Sequence, residues 1–502
     1  MSTISATPTS PPAAAGRDHR WLILVIVSVA QLMVVLDATI VNIALPSAQK
    51  ALGFSNDGRQ WIVTSYALAF GSLLLLGGRI GDMFGRKWAF LGGMAGFAIA
   101  SAVGGASTSF GMLVAARALQ GAFGAVLAPA ALSTLVNTFT DPKERGKAFG
   151  IFGSVAGGGG AVGLVLGGIL TEYLSWRWCL YVNLGFAAVA GFGGWRLMVN
   201  VRPPSRPRID FVGVGLASAG LFAVVFGFAH VATASWSSGV TIIALVAGAL
   251  LLSAFVYSQT RVSAPLLPLR IITDPARGGA YAAVGIAGIA IFGVFLFVSY
   301  YLQIVKGFSP VSSGLAFLPM MGGILLASNT STIVLLPRFG PRVLIATGMS
   351  FGCAAMIYLA QLSASSTYAG GILPALIVMG LGFGMIVAPA INTATSRVAP
   401  NDAGIASALV NTMQQVGGSV GTAVLSTVAA SATASYAQHH RGADHLAAVA
   451  ATHGYTSAFT IAAILFGVGA VITTLIMPSR PVHQARLQDH QSQLSSPVPA
   501  HG

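Results

Sequence analysis

The sequence predicts an all-α membrane protein of 14 transmembrane helices in a 6 + 2 + 6 arrangement, two pseudo-symmetric six-helix bundles with a helix pair inserted between them. Three observations carry this expectation. The first is composition: of 502 residues, 55% are hydrophobic and 8% charged, with a mean hydropathy of +0.79. A soluble surface needs about 25% charged residues, which excludes a large soluble enzyme, and a disordered chain would be polar and charge-rich. The second is a series of apolar runs, each near the roughly 20 residues a helix needs to cross the hydrocarbon core. The third is an internal repeat at an offset near 260 residues.

Residues 1–20 are polar, rich in Ser, Thr and Pro, and form an N-terminal tail. The first run, 21–45, is too long for a signal-peptide core and is retained as helix 1. Runs at 61–78, 88–107, 111–138, 147–170 and 178–199 complete a first bundle over 21–200. Two more, 211–231 and 239–259, form an insert that with its flanking loops spans 201–278; RPPSRPRID (202–210) and the prolines Pro265, Pro268 and Pro275 mark its edges. Runs at 279–303, 311–336, 343–362, 368–391, 404–432 and 455–477 form the second bundle over 279–477, and 478–502 is a C-terminal tail.

The net charge is +14. Its 26 basic residues are scattered between apolar runs rather than gathered on an aromatic-studded face, which argues against a nucleic-acid partner. Twenty fall in loops on the side of the N-terminus and five (Lys50, Arg59, Arg177, Lys306, Arg441) on the other. Positive residues are retained in the cytoplasm, so both termini are expected there, and the chain in the plasma (inner) membrane. The excess of Arg over Lys, with abundant Ala, Gly and Val, suits a GC-rich bacterial genome. Cys179 and Cys353 sit in apolar runs and imply no disulfide. His439, His440, His445 and His453 are expected in a solvated loop before the last helix, not at a metal.

The repeat rests on three ordered matches. GAVLAPA (124–130) returns as GMIVAPA (384–390), GGAVG (159–163) as GGSVG (417–421), and Phe84-Gly85 as Phe339-Gly340. Duplicated six-helix units are a transporter architecture, with the site between the halves. Helix-interior glycines fit close helix approach.

Ionisable residues inside a membrane are read as functional. Asp37 is the one acid of twelve well inside a span, and Arg117 the one base. A rise of 1.5 Å per residue puts them at similar depth below the same face, roughly 12 and 9 Å down. Two readings stay open: a static pair that fixes register, and a proton switch in which desolvation favours the neutral acid while the guanidinium favours the carboxylate. The repeat offset takes Arg117 to Ile377, so coupling is expected in the first bundle alone. No Walker A pattern occurs, so no nucleotide or other cofactor is expected and a proton gradient is the energy source. Asn411, Gln414, Gln415 and Gly418 share a helical face and are cavity candidates, with Tyr66, Tyr300, Tyr301 and Asn329 beside them.

LDATIVNIALP (36–46), GRIGDMFGRK (78–87), RALQGAFGAVLAPA (117–130), SWRWCLYVN (175–183) and GIASALVNTMQQVGGSVG (404–421) together resemble the fourteen-helix drug:proton antiporter branch of the major facilitator superfamily, the bacterial multidrug and antibiotic exporters. The resemblance covers almost the whole membrane region. It implies the major facilitator fold, Arg117 in proton coupling, and a loop motif carried by Gly78, Asp82, Gly85, Arg86 and Lys87. At that helix boundary Asp82 can accept from backbone N–H groups of a neighbouring helix and bind Arg86, acting as a conformational latch; a solvated turn is the plainer alternative. The helix 5 exporter motif keeps Gly163, Gly167 and Gly168 but has Leu164 where proline is usual, and Leu184 and Gly185 follow Asn183 where a proline is also usual. The implied function is proton-coupled export of amphipathic drugs or antibiotics by a monomer in the lipid bilayer. A facilitator or symporter for a small polar metabolite and a membrane-embedded enzyme are the alternatives, the latter short of the converging acids and histidines it would need.

Overall fold

The computed structural model of the protein describes residues 19–139, 141–200, 210–231, 234–262, 265–395, 398, 403–440 and 445–479, apart from a few helical side chains, Asp82 among them. Among these residues the chain is helical throughout, with no strand. The first six helices are α1 (His19–Leu52), α2 (Asn56–Phe84), α3 (Arg86–Gly105), α4 (Phe110–Thr138), α5 (Pro142–Tyr173) and α6 (Trp178–Leu197). Then come α7 (Phe211–Val231), α8 (Gly239–Gln259) and the short α9 (Arg270–Thr273). The last seven are α10 (Pro275–Tyr300), α11 (Pro310–Ala316), α12 (Leu318–Thr330), α13 (Leu336–Leu359), α14 (Leu373–Thr395), α15 (Ala403–His439) and α16 (Leu446–Ile476). Among the described residues eleven helical stretches are long and apolar enough to cross a membrane. One of them, Pro310–Leu359, contains Gly340, whose φ of 79° and ψ of 167° break the helix.

Local chemistry sets the boundaries. Ser55, Ser109, Asp274 and Ser309 precede α2, α4, α10 and α11, and each side-chain oxygen accepts from a first-turn N–H. Gly85 separates α2 from α3 at φ 91° and ψ 148°, a conformation open to glycine and strained for other residues. Its repeat partner Gly340 adopts nearly the same angles.

Helix pairings repeat as well. In the first group α1 packs on α5 and α6, α2 on α4, and α3 on α4 and α6. In the second, α10 packs on α15 and α16, α12 on α14, and α13 on α14 and α16. Pro129 in α4 and Pro389 in α14 occupy matching positions. The α7–α8 hairpin leans on α2 of one group and α15 of the other through α7. Asp210 ties it down: its Oδ1 accepts from Gly213 N–H at 2.7 Å and its Oδ2 from Gln259 Nε2 at 2.7 Å, while Gln259 Oε1 accepts from Leu267 N–H. The linker 202–210 otherwise lies outside the described residues.

Two boundaries differ from expectation. Arg20, assigned to the tail, lies in the first turn of α1 and pairs with Glu144 of α5 at 2.7 Å. The supposed loop holding the histidines is mostly helix, since α15 continues to His439 and α16 begins at Leu446. Hydropathy falls there, but the alanine-rich sequence keeps strong helix propensity. Tyr436 stacks on His440 with ring centroids 4.0 Å apart, and His453 lies 4.9 Å away. Among the described residues no group of three metal-ligating side chains forms.

Candidate functional site

Close approach of small residues builds the site. Gly121 in α4 lies against α2 so closely that a Cβ there would sit 2.2 Å from the Tyr66 carbonyl. Gly163 and Gly167 do the same for α5 on α1, where a Cβ would meet Thr39 Oγ1 at 2.1 Å and Ile40 Cγ1 at 2.8 Å. These contacts seat α4 on α2 and α5 on α1; α1 also packs on α4, and α3 and α6 close the ring at the depth of Asp37 and Arg117.

The two charges meet. Arg117 Nη1 donates to Asp37 Oδ2 at 2.5 Å, with both side chains buried at 2% and 0% exposure. The rest of the ring is polar and equally dry. Gln120 Nε2 donates to Asp37 Oδ1 at 3.0 Å and to Ser101 Oγ at 2.7 Å, and Gln120 Oε1 accepts from Arg117 Nη1 at 2.9 Å. Asn183 Nδ2 donates to Asp37 Oδ1 at 2.7 Å and lies 3.3 Å from Ser101 Oγ, which itself donates to the Phe97 carbonyl. Arg117 Nε donates to the Ile62 carbonyl at 3.3 Å, and the guanidinium carbon stands 4.4 Å over the ring of Tyr66. Asp37 therefore accepts three hydrogen bonds, an arrangement that suits the charged carboxylate. In so dry a place, removing either partner of the pair would leave an uncompensated charge.

Gln120, Asn183 and Ser101 were not singled out from sequence. Gln120 stands three residues after Arg117 on the same helical face, a readable signal, and Asn183 ends the SWRWCLYVN segment. Ser101 is a lone serine in an apolar helix and carries no local signal.

The other expected residues scatter. Tyr66 is buried under Arg117 and belongs to this network, not to a cavity wall, because α4 covers it. Tyr301 is wholly buried and donates to the Ser363 carbonyl at 2.6 Å, tied to the segment after α13. Tyr300 is buried under the guanidinium of Arg59, which stands 4.4 Å over its ring. Both tyrosines lie at the far end of α10 and are packed into the protein there rather than lining a cavity wall. Asn329 is exposed and its Nδ2 donates to the Leu325 carbonyl of its own helix. Asn411 is exposed on α15, while Gln414 and Gln415 are half-buried. The Gln415 Cβ faces Gly71 of α2 in the other group, and the Gln414 carbonyl and Gly418 face Gly288 of α10.

In the loop motif, Gly78 lies near Pro129 of α4, Gly85 makes the break, and Arg86 opens α3. The side chain of Asp82 lies outside the described residues. Lys87 does not reach the other group: its Nζ donates to the Trp195 carbonyl of α6 at 2.7 Å, because α3 packs on α6. In the helix 5 motif, Gly168 differs from its neighbours and faces Pro310 and Val311 of α11.

The two groups touch along α2 and α15 and, beyond that, at the end far from the termini. There Arg59 of α2 covers Tyr300, Glu172 of α5 accepts from Val311 N–H of α11 at 3.0 Å, and Gln303 Nε2 donates to the Ile43 carbonyl of α1 at 3.3 Å. Leu164, in the place of the usual proline, is buried with its carbonyl against Gly314 of α11. Nearer the termini one face of α5 is open: Cβ atoms added at Gly153 and Gly158 would meet nothing within 4 Å and Ile151 is 46% exposed, while Glu144 and Ala148 on the same helix stay tied to α1 and buried against Leu24.

Comparison with known proteins agrees with this architecture. The family model described as Major Facilitator Superfamily matches residues 27–422. The chain is 48% identical over 478 residues to the puromycin resistance protein of Streptomyces alboniger, covering 94% of each chain. It is 40% identical to the cephamycin export protein of Amycolatopsis lactamdurans, covering 82% of this chain and 85% of that one. Among solved structures, a bacterial homologue of the human lysosomal transporter Spinster, in an inward-facing and unoccupied conformation, superposes with a TM-score of 0.64 over 97% of this chain and 100% of that one. At 15% identity that match concerns the fold.

Proposed function

The chain belongs to the Major Facilitator Superfamily, a family of transporters rather than enzymes, and from that premise we propose that it exports amphipathic drugs or antibiotics in exchange for protons. The observation that carries the proposal is the Asp37–Arg117 pair inside its ring of Gln120, Asn183 and Ser101. A titratable acid held wholly inside a membrane bundle next to its counter-charge can exist in two protonation states, each favouring a different packing of α1 against α4. A proton from outside neutralises Asp37 and loosens Arg117; release inward restores the pair and resets the bundle. The export of antibiotics is supported by the puromycin and cephamycin relatives.

The same reading includes fourteen crossings. It counts Pro310–Leu359 as two at Gly340, and adds α2 and α6 to the apolar stretches. Bundles of six helices over 21–200 and 279–477 rock about the cargo, with the insert 201–278 between them and both termini in the cytoplasm of a plasma membrane. The far-end contacts close the outer side in this state. Asp82, with Arg86, latches the inner side in the alternate one. The protein works as a monomer, with protons, lipid and a small amphipathic cargo as its partners, and it needs no cofactor beyond the gradient.

Reconstitution tests the proposal. In proteoliposomes carrying the purified chain, an imposed pH gradient should drive puromycin movement, a protonophore should abolish it, and Asp37→Asn should remove the response. Puromycin movement indifferent to the gradient would overturn proton coupling; no movement of any of several unrelated lipophilic antibiotics would favour a polar metabolite.

A further inference from the structure

The hydrogen-bond inventory around Asp37 is unbalanced in a way that depends on its proton. Arg117 offers only donors. Gln120 presents its nitrogen to Asp37, and its Oε1 is already taken by Arg117. Ser101 Oγ bonds to Gln120, Asn183 and Phe97, not to Asp37. Asn183 also presents its nitrogen, while its Oδ1 is buried with no partner among the described residues. An ionised Asp37 accepts from all three. A protonated Asp37 turns a donor toward donors and needs an acceptor. A free acceptor lies on the amide that already touches it. The hydroxyl of Tyr66 is also buried with no hydrogen-bond partner among the described residues, and no hydrogen bond places it on Asp37.

We propose that Asn183 is a positioning residue that reads the proton on Asp37: its amide donates through Nδ2 to the carboxylate and, turned about χ2, accepts through Oδ1 from the acid. The step moves one proton from hydronium to an Asp37 carboxylate oxygen, breaking one O–H bond, forming another and leaving water, with no other covalent bond changed. It rests on the proton-coupling reading above and adds to it a route by which the proton state reaches α6. The other titratable or charged groups facing Asp37 are Arg117 from α4, Tyr66 from α2 and Cys179 at the start of α6. α5 carries no titratable residue between Ala148 and Thr171, and α3 none between Trp88 and Gly105.

The test is infrared difference spectroscopy, acid minus alkaline, on the full-length protein in nanodiscs, with asparagine labelled with carbon-13 at the side-chain carbonyl. A labelled amide band should move to lower wavenumber with the same pH midpoint as the acid band of Asp37, and should vanish in both Asn183→Leu and Asp37→Asn. In transport, Asn183→Leu should move the pH midpoint toward alkaline by about one unit, because a bond to the ionised group is roughly twice as strong as one to the neutral acid. An Asp37 acid band with no moving asparagine band would overturn the inference and point to the Met33 carbonyl one turn back. So would an Asn183→Leu protein that is less stable yet keeps its pH midpoint. If no Asp37 acid band arises at any pH, proton coupling at Asp37 fails, and this inference with it.

Discussion

The two groups of six helices share their pairings, the glycine break at Gly85 and Gly340, and the prolines at Pro129 and Pro389, yet their centres are built from opposite materials. The first is polar: Asp37, Ser101, Arg117, Gln120 and Asn183, all buried and cross-bonded. At the repeat offset of 260 residues, Asp37 becomes Phe297, Arg117 becomes Ile377 and Gln120 becomes Gly380. Phe297 packs on Tyr455 and Phe459 of α16 at centroid distances of 5.7 and 6.2 Å, where Asp37 bonds to α6. Ile377 is 40% exposed, and Met320, Met349, Met356 and Met379 fill the core. Among the described residues the second group reaches the same packing without buried charge, so the polar centre of the first is not what the architecture requires.

That contrast can be broken experimentally, most severely at its centre. Asp37→Asn should reduce gradient-driven puromycin transport to background, whereas Phe297→Ala should leave its pH dependence unchanged; equal pH profiles in the two variants would erase the distinction. Next in size are losses of stability. Arg117→Gln, which leaves Asp37 buried without its counter-charge, should destabilise the detergent-solubilised protein by about 3–5 kcal/mol, and Asp37→Asn added to it should recover most of that. A thermal-unfolding double-mutant cycle measures the coupling. Phe297→Ala should lose a similar amount, about 3–5 kcal/mol, by leaving a cavity, with no recovery from any charge change.

Smaller effects sharpen the shared features. Gly85→Ala and Gly340→Ala each force a side chain into positive φ, at about 1–2 kcal/mol. Gly85→Ala should be the worse, since its Cβ would also strike Asn200 Oδ1 at 2.1 Å. Smallest is Gly153→Ala, where nothing lies within 4 Å of the added carbon. It should raise stability by up to about 1 kcal/mol through helix propensity, and a loss there would mean that the Gly153 face of α5 is packed.

Sequence alone determined the solvent and the architecture, because a bilayer demands apolar runs of fixed length and leaves few places for charge. Asp37 and Arg117 stood out for that reason, and their similar depth followed from the rise per residue of two helices counted from the same face. The repeat was legible for a related reason: Gly85 and Gly340 occupy a backbone conformation that strains other residues. Tertiary structure decided which helices are neighbours. That choice made Asp37 and Arg117 a bonded pair, brought Gln120, Ser101 and Asn183 around them, and turned Tyr66, Tyr300 and Tyr301 inward. Hydropathy could not foresee this, because a lone Ser or Asn in an apolar helix reads the same whether it faces lipid, cavity or carboxylate. Only the side chain across the helix–helix contact distinguishes them, and that contact is set by where glycines such as Gly121 and Gly163 let two backbones meet.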